Sequence, residues 1–137
     1  MSEITTSILS ILSNNTPIKS AVKKRIYTSI ADQKAQLPYI VMTEISTEFT
    51  AYTMAVSDHQ RSLVQVDVYA DSSSDVESIS NDVIKALSIQ RGVYGLRSIV
   101  SSTPEIARRL DETSTLNDGE KPVRRNSIDF SISHTKV

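Results

Sequence analysis

The sequence predicts an α+β fold: a two-layer sandwich in which a mainly antiparallel sheet of about four strands carries two helices on one face. Three observations lead there. Two segments repeat apolar residues at helical spacing and have one apolar stripe each. Other segments are β-branched and alternate apolar with polar residues, so each strand has one face to bury. Helical and extended segments come in the order α-β-β-α-β-β, with no internal repeat and no composition break. A chain of 137 residues is then one domain, residues 1–137, long enough to bury a core without staples.

The first element is a helix over residues 3–13. Ile4, Ile8, Ile11 and Leu12 fall on one helical face. Ser2 is placed to cap it. Asn14, Asn15 and Pro17 end it, because a proline biases the preceding residue away from the helical region. A basic stretch follows, Lys19, Lys23, Lys24 and Arg25, then a short extended piece at Ile26 and Tyr27 and a polar loop over residues 28–36. Residues 37–45 are rich in β-branched and aromatic types and predict a strand running on toward Phe49, with Pro38 at its start. Residues 51–61 read as a connection, although Tyr52, Met54 and Val56 alternate in a way that would extend a hairpin beyond the sheet. Residues 62–70 are the clearest strand: Val64, Val66 and Val68 alternate with Gln65, Asp67 and Tyr69. The two strands form a long antiparallel hairpin.

The second helix starts at Ser72-Ser73-Ser74, where Ser74 and Glu77 have capping-box spacing. Val76, Ile79, Val83, Ile84 and Leu87 form its stripe, Lys85 and Arg91 suit its C-terminal dipole, and Gly92 is placed to stop it. A third strand covers residues 94–103 and is closed by Pro104. A long loop over residues 105–122 contains the turn chemistry Asn117-Asp118-Gly119. The last strand covers residues 123–134, with Ile128, Phe130 and Ile132 on one face and Ser127, Asp129, Ser131 and Ser133 on the other.

Composition narrows function by exclusion. There is no cysteine, which removes disulfides, thiolate metal sites and a cysteine nucleophile. The two histidines, His59 and His134, lie in a predicted loop and near the C-terminus, and read as exposed polar residues. No serine sits in a nucleophile turn. Two histidines cannot build a structural zinc site without carboxylates, and no acid-rich loop around a glycine suits calcium. The three glycines, Gly92, Gly95 and Gly119, form no phosphate-cradling turn. The expectation is a protein with no catalytic residues, no metal and no cofactor. A net charge of -1 gives a weak overall field toward nucleic acid or an anionic membrane. The apolar runs are too short to span a bilayer, and the first residues lack the pattern of a secretory signal, so synthesis in the cytoplasm is expected.

Local charge says more. Lys19, Lys23, Lys24 and Arg25 make a basic patch, while residues 44–82 hold eight acids against Arg61 alone. Two such faces on one domain suit head-to-tail association of copies, with solvated faces as the plain alternative. Arg108, Arg109, Arg124 and Arg125 flank the long loop as candidate contacts, though little aromatic sequence is interleaved with them for stacking on single strands. Tyr52, Met54 and Val56 complete the candidate interface residues.

Several segments occur together and in order: the N-terminal amphipathic helix, Arg25-Ile26-Tyr27, Leu37-Pro38-Tyr39-Ile40-Val41, Val64-Gln65-Val66-Asp67-Val68-Tyr69-Ala70 leading into a helix, and Arg124-Arg125-Asn126-Ser127-Ile128-Asp129-Phe130-Ser131-Ile132 before His134. This pattern resembles the tail-completion, or tail-terminator, proteins that join head and tail in tailed bacteriophages. The resemblance covers nearly the whole chain except residues 49–61 and 105–122. It implies a small α+β domain that forms a ring of copies, expected to be a hexamer, at the neck of the virion. The ring would stop growth of the tail tube, contact the tube protein on one side and the head connector on the other, and let DNA pass through its lumen without specific binding. A domain of this length has a radius of gyration of about 14 Å, so six in a ring leave a hole about one domain wide. A head-closure role on the connector side, or a cytosolic adaptor module, are the alternative readings.

Overall fold

The computed structural model describes residues 3–29, 36–52, 55–88, 92–94, 97–109, 112–114 and 121–136. In chain order the elements are α1 (Glu3–Asn14), α2 (Thr16–Val22), β1 (Ile26–Thr28), β2 (Tyr39–Tyr52), β3 (Ala55–Ala70), α3 (Ser73–Leu87), β4 (Gly92–Tyr94), β5 (Arg97–Arg109), β6 (Glu112–Ser114) and β7 (Lys121–Lys136). The strands follow the order β1-β2-β3-β7-β5-β4, and β6 pairs with the start of β7. All pairs are antiparallel except β1 with β2, which makes the sheet mixed. The α+β class stands. The expected four strands and two helices are corrected to seven strands and three helices among the described residues.

The core is one face of this sheet. Met42 lies opposite Val66 and Val66 opposite Ile128, while Val64 lies opposite Phe130. All of these are fully buried. The strand period of two puts the whole set on one side. Against it α1 brings Ile4, Ile8, Ile11 and Leu12, α2 brings Ile18 and Val22, and α3 brings Val76, Ile79, Val83 and Leu87. Burial of each such side chain is worth about 1.5–3 kcal/mol, so the stripe of each helix holds it to the sheet more firmly than helix propensity does.

The corrections have local causes. Pro17 does not end helical structure. It sits in the first turn of α2, where its missing N–H costs nothing, and the Asn15 side chain accepts from the Ile18 amide at 3.2 Å as the N-cap. The cap of α3 is Ser72, not Ser74: its Oγ accepts from the Asp75 amide at 3.1 Å. Gly92 does not stop α3, which ends at Leu87 with Ser88 as its C-cap. Gly92 begins β4 at φ 124°, a conformation that favours glycine.

The segment expected as a connection over residues 51–61 is paired strand up to Tyr52 opposite Ala55. Pro104 does not close its strand. β5 runs through it, with register shifts between Ile99 and Ser101 and between Pro104 and Ile106, on a strand whose outer edge β4 covers only at residues 97–99. Of the expected loop over residues 105–122, the described residues 105–109, 112–114 and 121–122 are strand. Glu112, Thr113 and Ser114 keep the offset against β7 with which β5 ends, where Arg109 faces Asn126 and Glu112 faces Val123. Ser2, Arg91 and the Asn117-Asp118-Gly119 turn lie outside the described residues.

Candidate interaction surfaces

The fold projects two arms in opposite directions. β7 pairs with β3 from Gln60 to Ala70. Beyond the Gln60 end, β2 and β3 continue alone as a hairpin. Beyond the Ala70 end, β7 continues with β6. Tyr52 and Val56 belong to the first arm, opposite Ala55 and Ala51 respectively. Met54 lies outside the described residues. Phe49, at the base of this arm, is 65% exposed.

The basic residues divide by role. Lys19, Lys23 and Lys24 are exposed at the C-terminal end of α2, where cations suit the helix dipole. Arg25 is half-buried instead. Its Nε donates to the Pro38 carbonyl at 2.9 Å, which ties the end of α2 to the start of β2. Residues Leu37 and Pro38 are joined by a cis peptide bond.

Arg108 and Arg125 lie on the sheet face opposite the helices. Arg125 pairs with Asp67 at 3.3 Å, and Arg108 with Asp129 at 3.4 Å. Arg61 pairs with Glu105 at 3.4 Å and donates to Ser131 at 2.8 Å on the same face. Arg109 has the other parity and reaches α3, donating to Ser73 Oγ at 2.8 Å and facing Glu77 at 3.6 Å. Arg124 sits opposite Ala70 and is half-buried. The arginines expected as outward contacts are thus mostly cross-strand and strand-to-helix partners.

This face also carries an aromatic row that no single stretch of sequence displays. Tyr27, Tyr39 and Tyr69 come from β1, β2 and β3. Tyr39 stacks on Tyr69 with centroids 4.7 Å apart, Tyr27 meets Tyr39 edge-on at 6.0 Å, and the Arg125 guanidinium lies 5.5 Å from the Tyr69 ring centre. Asp67, 4% exposed, accepts from Gln65 at 3.0 Å beside them. Tyr39, Tyr69, Gln65, Asp67 and Arg125 line a shallow concavity of about 290 Å³. The Tyr39–Tyr69 stack and the Arg125 guanidinium over Tyr69 brace β2, β3 and β7 against one another on this face.

His134 is the residue the sequence misplaced. It is 2% exposed, not exposed. Arg97 Nε donates to its Nδ1 at 2.9 Å, and its Nε2 meets Ser62 Oγ at 2.8 Å. An arginine has only donors, so Nδ1 must accept and the ring is the neutral Nε2–H tautomer donating to Ser62. Arg97 in turn faces Glu3 of α1 at 3.5 Å. A hydrolase triad places a carboxylate where Arg97 stands, to stabilise the imidazolium. Here a cation occupies that place, and the Ser62–His134–Arg97 chain serves as a buried brace between α1 and the sheet. The only advance signal was that His134 shares a strand parity with Ile128, Phe130 and Ile132.

No helix of the described residues is long and apolar enough to cross a membrane. No protein-family model and no curated protein matches the chain. Among solved structures, the fold is similar to that of a chain in the virion of a native gene transfer agent particle, with a TM-score of 0.70 and 13% sequence identity over 95% of this chain and 92% of the other. At that identity the likeness is one of fold.

Proposed function

We propose that this protein is a virion structural component that forms a ring at the head-proximal end of a phage-like tail, ends the tail tube and joins it to the head connector. The observation that carries the reading is the near-complete overlap of its fold with a chain of a gene transfer agent virion. The order of its sequence motifs resembles tail-completion proteins, which supports the neck over other virion positions. Two arms at opposite ends of one sheet suit a subunit that touches neighbours on both sides. The partners in this reading are other copies in a ring, six by the resemblance, the tube protein and the connector protein. DNA slides through the lumen without specific binding. The near-neutral chain and the pairing of Arg61, Arg108 and Arg125 with acids fit that requirement. The role is assembly rather than catalysis, and it calls for no cofactor.

Electron microscopy of lysates from a phage or transfer particle lacking the gene tests this. Filled heads beside separate tails of uncontrolled length are expected. Detached tails of normal length would move the protein to a later joining or head-closure step. Intact infectious particles would end the virion reading and leave a cytosolic adaptor.

A further inference from the structure

Among the described residues, the exposed large apolar side chains all lie on two strands: Ile45 and Phe49 on β2, and Val100 and Ile106 on β5. These strands flank the sheet on opposite sides. β1 covers β2 only at residues 40–42, and β4 covers β5 only at residues 97–99. The outer edges of residues 43–52 and 100–109 are therefore unpaired among the described residues. An edge with apolar side chains is a place where another chain adds on.

The two edges differ in charge. Residues 43–52 hold Glu44 and Glu48 and no basic residue, whereas residues 100–109 hold Arg108 and Arg109 against Glu105. They also fit in direction. β2 and β7 are both antiparallel to β3, and β5 is antiparallel to β7, so β5 runs antiparallel to β2. A second copy set beside β5 in the same orientation presents its β2 in the antiparallel sense of the long pairs of the sheet.

We propose that the β2 edge of one copy docks antiparallel on the β5 edge of the next, with Ile45 beside Ile106 and Phe49 beside Val100, a register that brings Glu44 toward the end of β5 that holds Arg108 and Arg109. This rests on the ring reading above and names its subunit seam. The contact is heterologous, the kind that closes into a ring. Two-fold alternatives bring glutamates to glutamates or arginines to arginines, which like-charge repulsion disfavours. Pro104 and the register shifts on both strands interrupt the row of backbone donors, so side chains make the seam and indiscriminate strand addition is blocked.

The cysteine-free chain allows a direct test with the full-length protein. One preparation carries Ile45→Cys and another Ile106→Cys, each checked for native unfolding, and the two are mixed and treated with a short bismaleimide. Cross-links between the two variants, with few within either alone, are expected. Cross-links within one variant alone mean two-fold pairing and overturn the seam. A chain that forms oligomers yet gives no cross-link also overturns the seam, while the ring reading survives. A chain monomeric at every concentration overturns the seam as well, and the lysate experiment still decides the neck role on its own. As a second measurement, Phe49→Ser is expected to weaken self-association about tenfold or more, the effect of losing an apolar anchor, with thermal unfolding unchanged. Unchanged self-association in that variant overturns the seam.

Discussion

His134 is the point where a single residue binds the most structure together. Its ring joins β7 to Ser62 on β3 and, through Arg97, to Glu3 at the start of α1. His134→Ala would leave the buried Arg97 Nε and Ser62 Oγ without this partner. A loss of about 2–3 kcal/mol is expected by chemical denaturation, because the desolvation of each orphaned group is no longer offset. Little of this was legible in the sequence. The alternation of β7 marks His134 as inward, but its proximity to the C-terminus suggested exposure, and its partners stand 37 and 72 residues away in the chain. Long-range polar partners leave no local periodicity. The same holds for Asp67 with Arg125 and for the tyrosine row, which three separate strands contribute.

At the scale of elements, strong periodicity located the helices and strands, and weak end signals misplaced their limits. The stripe from Val76 to Leu87 identifies α3, but three consecutive serines offer three possible caps. The structure selects Ser72. Ser72→Ala is expected to cost about 1 kcal/mol and Ser74→Ala less than about 0.5 kcal/mol, measured side by side in urea. The reverse order would place the cap at Ser74. α2 was missed because its seven residues give a single apolar repeat, Ile18 and Val22, and because Pro17 is equally at home after a helix and in the first turn of one. β5 was cut short for a related reason: a proline forbids a central strand but not a partly uncovered edge, and which strand lies at the edge is a property of the whole sheet.

For the whole molecule, the fold class was legible because one-sided helices and one-sided strands have few ways to bury each other. The arms were not. Both fall where polar and turn-forming residues mimic loops, and what makes them strands is pairing with a partner already in place. The candidate interface residues divided on the same ground. Lys19, Lys23 and Lys24 are at the surface as expected, while Arg25, Arg108, Arg109 and Arg125 have partners within the subunit.

The common offset of β5 and β6 against β7 has a consequence for how this arm can change length. A pleated arm has only two faces, so its length comes in steps of two residues per strand. Extending both strands by two residues between Arg109 and Glu112 and in the facing stretch of β7 is expected to keep Arg108 beside Asp129 and Arg109 beside Glu77, with unfolding unchanged. Extending each by one residue is expected to turn the distal part of the arm over, readable as lost assembly in a protein that still folds. The reach of the arm would then be adjustable in increments of about 7 Å, the rise of two strand residues, and a variant of intermediate reach would have no stable register.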